Sequence, residues 1–147
     1  VYLKLVGVLD ESGMEPVQNR IEKLPFMDWR QLPAVIAGLD INLMPLENSL
    51  FHWCKSENKW TEAALVKVPS VMSRNCEMEY VVENGKDGWM CTTKEEWVNA
   101  LEALVTDEKA RKAMGEAAHQ KVMEHYLTEN TGKDAMEELL CSESYTK

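Results

Sequence analysis

Apolar positions run along this chain in two rhythms. Residues 1–8 are nearly continuously apolar, as in a parallel strand buried on both faces. Residues 10–19 form a polar loop with room for a weak helical turn, and residues 20–24 alternate polar and apolar, which reads as a second strand. Asp28 is a good N-cap for a helix through Ala37, with Leu32, Val35, Ile36 and Leu39 inward and Gly38 near its end. A third strand covers residues 41–44 and stops at Pro45. The polar residues from Glu47 to Glu57 predict a loop, followed by a helix over residues 56–67. Pro69 then opens an extended run over 70–73. Residues 78–83 read as a short helix ended by Asn84 and Gly85, and residues 88–91 as a last short strand.

From Thr93 the period is helical only. Thr93 and Glu96 form a capping box ahead of Trp97, Leu101 and Leu104. Asp107 caps a second helix with Ala110, Met114, Ala117, Ala118, Val122 and Tyr126 on its inner stripe. A third helix, over residues 131–140, carries Met136, Leu139 and Leu140, and the tail after Cys141 is expected to fray.

The strand–helix–strand run over residues 41–73 fixes the fold class. A crossover of this length joins parallel strands of one sheet, with a right-handed connection. The expectation is an α/β fold: a Rossmann-like three-layer parallel sheet with helices on both faces and a helical C-terminal extension, as a single domain over residues 1–147. Ligands of such sheets sit beyond the carboxyl ends of the strands. Residues 45–56 and 73–79 fall on that rim.

Three side chains on the rim suggest anion chemistry. Ser56 is a plausible N-cap, so the free amides of the next turn face the loop, a setting that favours phosphate. Lysines ordinarily avoid that end of a helix, because the macrodipole repels them. Lys55 and Lys59 flank the first turn four apart, with Glu62 three further along the same stripe. The same spacing also suits a solvated face with an ordinary Lys59–Glu62 pair. His52 sits on the rim beside Trp53, where it could stack on a base or touch a sugar, or simply decorate the surface. Glu77 and Glu79 follow the end of the fourth strand and read equally well as a site or as a surface pair.

Composition narrows the classes. With 45% hydrophobic and 28% charged residues, 147 residues can bury one core. A net charge of -9 argues against nucleic acid or a membrane surface as partner. No segment approaches the roughly 18 apolar residues of a membrane span. Cys54, Cys76, Cys91 and Cys141 are scattered, with no C-x-x-C pair, which favours a reduced, cytosolic compartment over a disulfide framework. His119 and His125 lack carboxylate or cysteine partners at ligand spacing, so no metal site is expected. The nine methionines read as core filler, and Trp60, Trp89 and Trp97 as packing residues. No P-loop, G-x-G-x-x-G or Ser-His-Asp arrangement is present.

An ordered set of short motifs adds a resemblance. Leu39-Asp40-Ile41-Asn42-Leu43-Met44-Pro45-Leu46, then Lys55-Ser56, Lys59, Glu62-Ala63, Val68-Pro69 with Val71 and Ser73, then Gly85 and Gly88 resemble the nucleotide-sugar half of family 4 retaining glycosyltransferases of GT-B fold. Pro25 to Pro33 upstream, and Glu95-Glu96-Trp97 and Arg111 to Ala118 downstream, extend the likeness over roughly residues 3 to 127. The resemblance implies a donor-binding half of a two-domain enzyme that moves a sugar from a nucleotide-sugar to an acceptor with retention, without a metal ion or other cofactor. Glu62 matches the second glutamate of the family's E-x7-E motif, which accepts hydrogen bonds from the donor ribose. The first glutamate falls at Cys54, which is no carboxylate, so Cys54 and His52 stand as candidate sugar contacts only. Lys55, Ser56 and Lys59 are then expected at the phosphates, and the backbone near Phe26 and Met27 at the base.

The family's half-domain opens with a further strand and a Gly-Arg/Lys pair ahead of the segment that residues 1–8 resemble. A carboxy-terminal piece is therefore expected, lacking that strand and the amino-terminal acceptor domain; by itself it would not turn over. No catalytic residue is assigned. The implied setting is polysaccharide biosynthesis in the cytoplasm, peripheral to a membrane in the full-length enzyme, with a glycan or other acceptor held by the absent domain. Two rivals stand beside this reading: another nucleotide- or phosphate-binding α/β module, such as a phosphosugar epimerase or a receiver-like domain, and a non-catalytic scaffold.

Overall fold

Every strand pair in the computed structural model, which describes residues 1–8 and 12–133, is parallel. The chain divides into two compact units, Val1–Val35 and Ile36–Lys147.

In the first unit β1 (Leu3–Val6) pairs with β2 (Ile21–Leu24), Leu3 opposite Ile21 and Val6 opposite Leu24. A 3-10 helix, Glu15–Arg20, fills the expected polar loop. The strand expected over residues 1–8 is shorter and less buried than its apolar run suggested. All four β1 residues are half-buried, β1 has one strand partner, and Gly7 leaves the extended region with φ +93. The helix expected from Asp28 also starts late, as α1 (Leu32–Ala37). Asp28 instead closes a turn: its carboxylate accepts from the Arg30 amide at 2.9 Å and pairs with the Arg30 guanidinium at 3.4 Å. Pro33 brings no amide and restricts the residue before it, so it suits only the first turn of a helix.

The second unit holds the crossover. Its sheet runs β3 (Asn42–Met44), β4 (Ser70–Ser73), β5 (Trp89–Cys91), with Leu43 opposite Val71 and Met72 opposite Met90. Alternation along β4 sends Met72 to one face and Val71 to the other. On the Met72 side Met44 and Met90 pack with α3 (Asn58–Leu65), α4 (Cys76–Val81) and α6 (Glu108–His125). Val71 and Cys91 pack with α5 (Lys94–Thr106) and with Met114 of α6. The result is α/β: a parallel sheet between helical layers, with methionine filling gaps as the sequence suggested.

Distant partners fasten this unit. The fully buried Trp60 donates its indole N–H to the Asp87 carbonyl at 2.9 Å. Asp87, 1% exposed, accepts from the Glu83 amide at 2.8 Å and forms an ion pair with Lys121 of α6. Gly115 is required where α6 meets the turn after α3: a Cβ there would lie 2.1 Å from the Lys67 carbonyl oxygen. Thr93 and Glu96 make the expected capping box on α5, and Asp107 caps α6 through the Ala110 amide. The expected inner stripe of α6 holds at Met114, Ala118 and Val122, whereas Ala110 is exposed. Residues 134–140 of the third expected helix, and Cys141, lie outside the described residues.

Candidate functional site

The rim beyond β3, β4 and β5 carries a cleft of about 310 Å³ in the second unit. Leu46 follows β3, Ser73 ends β4 with Arg74 to Cys76 after it, and Thr92 follows β5; His52 and Trp53 come from the first connection. Ser73 ties two of these loops together, accepting from the Leu46 amide at 2.8 Å and donating to the Leu46 carbonyl at 3.1 Å. The serine that ends the Val68-Pro69-Ser70-Val71-Met72-Ser73 run is thus a clamp on the rim. Cys91 also lines the cleft, and burial pushes its thiol upward. Among the described residues no group of three or more His, Cys, Asp or Glu could hold a metal ion.

The loop expected between Glu47 and Glu57 contains a helix. Ser49 caps α2 (Leu50–Trp53), accepting from the His52 amide, and its Oγ lies 2.8 Å from His52 Nδ1. Leu50 and Phe51 are left exposed on this single turn. Lys55 leaves α2 toward the Phe51 ring, with Nζ 4.5 Å from its centroid. Lys55 is therefore outside the next helix, and the expectation that it shares a helical face with Lys59 is corrected.

Ser56 is not the N-cap of α3. That position belongs to Glu57, whose carbonyl accepts from the Thr61 amide at 3.0 Å; no side chain caps the turn. The amides of Asn58, Lys59 and Trp60 are consequently without helical partners, as the rim reading requires. Glu57 instead turns its carboxylate to the hydroxyl of Tyr126, whose pKa is raised by burial and then by Glu57. Lys59 and Glu62 are exposed on α3, three apart and on one face, and make no ion pair with each other among the described residues. The inner face of the same helix holds Trp60, Ala63 and Ala64.

The remaining candidates scatter. His52 is half-buried and lines the cleft. Cys54 is the C-cap of α2, exposed and outside the cleft lining. Phe26 (87% exposed) and the half-buried Met27 belong to the first unit, after β2. Sequence reasoning missed Ser49, Arg74 and Asn75. Arg74 and Glu79 both line the cleft and pair at 2.9 Å. Only the Ser49-x-x-His52 spacing carried a signal, that of a short capped turn.

The sequence, compared with known proteins, matches a family. A family model described as Glycosyl transferases group 1 matches residues 1–107. Among solved structures, HepE of Anabaena in complex with UDP and glucose is 17% identical with a TM-score of 0.75, covering 96% of this chain and 41% of its own. The C-terminal domain of a glycosyl transferase group 1 family protein from Francisella tularensis is 18% identical with a TM-score of 0.58, over 77% of this chain and 57% of that one. Sucrose-phosphate synthase from Thermosynechococcus elongatus is 15% identical with a TM-score of 0.69, over 95% and 38%. This chain thus spans between 38% and 57% of the length of these structures. No curated protein matches it in sequence.

Proposed function

The chain belongs to the glycosyl transferase group 1 family, and on that premise we propose that it is the nucleotide-sugar-binding half of a family 4 enzyme that transfers a sugar with retention. The observation that carries this reading is the exposed Lys59 and Glu62 on one face of the crossover helix, without an ion-pair partner among the described residues, beside open backbone amides at the sheet's rim.

Each group has a role the chemistry suits. The Glu62 carboxylate accepts hydrogen bonds from the two ribose hydroxyls. The amides of Asn58 and Lys59, with the Lys59 ammonium, meet the charge that develops on the departing diphosphate, an electrostatic contribution made without a metal ion. Lys55 and Ser56 approach the same phosphates from the loop. The UDP held by HepE supports a uridine donor. The same reading places the parent enzyme in polysaccharide biosynthesis, cytoplasmic and peripheral to a membrane, with its glycan acceptor on a separate amino-terminal domain.

Cys54 favours one alternative. It stands where the motif's first glutamate belongs, exposed and away from the cleft, as expected of a domain that keeps the scaffold without the chemistry. Calorimetric titration with UDP, GDP and their sugars separates the two. Donor binding predicts saturable heat with one of the nucleotides; no heat at millimolar ligand would leave the scaffold alone.

A further inference from the structure

Two groups lining the rim cleft, Asn75 and His52, each leave a donor without an acceptor among the described residues. Asn75, 6% exposed, accepts from the Met78 amide at 2.8 Å through Oδ1, which fixes the amide so that Nδ2 is the free end. Nδ2 is buried and has no hydrogen-bond partner among the described residues, although buried polar groups are nearly always paired. The second donor follows from Ser49. Its Oγ accepts from the His52 amide and lies 2.8 Å from His52 Nδ1, to which its own hydrogen can be donated. With Nδ1 accepting, the neutral imidazole carries its proton on Nε2, for which the described residues offer no acceptor.

We propose that this cleft binds an oxygen that only accepts hydrogen bonds, a phosphate or carboxylate oxygen of the donor, through Asn75 Nδ2 and His52 Nε2, with Ser49 as the positioning residue. The proposal rests on the donor-site reading above and deepens it: His52, two residues before Cys54, supplies a contact in place of the absent motif carboxylate. Arg74 lines the cleft as well, but Glu79 holds its guanidinium at 2.9 Å. Asn75 and His52 make the proposed contact, and the ion pair offsets the charge of Glu79.

The test is nitrogen-15 NMR on the 147-residue chain, following the Asn75 side-chain amide and the His52 ring nitrogens. Without ligand, His52 is expected as the Nε2–H tautomer; a proton on Nδ1 overturns the role of Ser49. Inorganic pyrophosphate and UDP moving both signals, with UMP moving neither, identifies a phosphate oxygen. Movement with glucuronate and UDP-glucuronate alone identifies a carboxylate. If UDP moves the Lys59 and Glu62 amides but no probe moves Asn75 or His52, the donor site stands and this inference falls. If pyrophosphate or glucuronate moves Asn75 and His52 while no nucleotide binds, the inference stands and the donor site falls. Ser49→Ala is expected to mix the tautomers and weaken UDP or pyrophosphate about tenfold, with Ser49→Thr restoring both. Asn75→Ser keeps a capping oxygen but removes the donor; unchanged affinity in that variant contradicts the proposal.

Discussion

Asp87 and Asn75 are both buried polar residues of the second unit, and they are treated in opposite ways. Asp87 lies beneath the turn before β5 with its bonds made: the Glu83 amide and Lys121 reach its carboxylate, and its carbonyl takes the Trp60 indole. Asn75 lies on the rim with half its amide unpartnered. Two faces of α3 repeat the contrast. Trp60, Ala63 and Ala64 are fully buried, while Lys59 and Glu62 stand exposed without an ion-pair partner among the described residues. Among the described residues Asn75 Nδ2 is the one buried side-chain polar atom left without a partner, and a rim with such an open donor is built to be completed by something else.

The sharpest way to break this contrast is Asp87→Ala. It takes the carboxylate from the partly buried Lys121, leaving it the Val81 carbonyl at 2.8 Å, and removes the acceptor of the Glu83 amide, so a loss of about 3 kcal/mol is expected in urea unfolding. Asn75→Ser should cost under about 1 kcal/mol in the same experiment, because a capping oxygen remains. Equal losses would mean that the two residues are not differently employed. A smaller effect belongs to Lys59→Ala. Nucleotide diphosphate should bind about threefold more weakly with a shallower salt dependence, at unchanged stability. An unaltered salt slope would remove Lys59 from the phosphate site.

The smallest effect concerns the cap of α5. Amides of Thr92 at 2.5 Å and Thr93 at 3.2 Å hold the Glu96 carboxyl below the usual carboxylate range. A depressed folded-state pKa contributes stability that is present above the unfolded value and lost as pH falls through the folded one. Thermal midpoints should therefore drop as pH goes below about 4, and Glu96→Gln should flatten that part of the profile. The exposed site makes this a modest change.

Features written locally were readable in the sequence. Pro45 and Pro69 punctuate the crossover at the observed ends of β3 and β4, and Thr93, Glu96 and Asp107 announce their caps by spacing alone. The four residues of α2 are too few to show a period, so the loop reading there missed the turn that presents His52. Ser56 looked the better cap by residue type, but the hydrogen bond from Thr61 to the Glu57 carbonyl sets the start one residue later. Asp87 sits in a Gly-Lys-Asp-Gly turn that reads as exposed; its burial depends on Lys121 and Trp60, both far away in sequence. The contact of Gly115 with the Lys67 carbonyl is invisible for the same reason.

The claim that Glu62 reads the ribose is tested most directly by the affinities of UDP and 2′-deoxy-UDP for the unmodified chain and for Glu62→Ala. The unmodified chain should prefer UDP by about tenfold, the worth of a hydrogen bond to a charged acceptor, and the variant should bind both equally. A preference of the same size in both proteins would contradict the assignment and move the donor site away from α3.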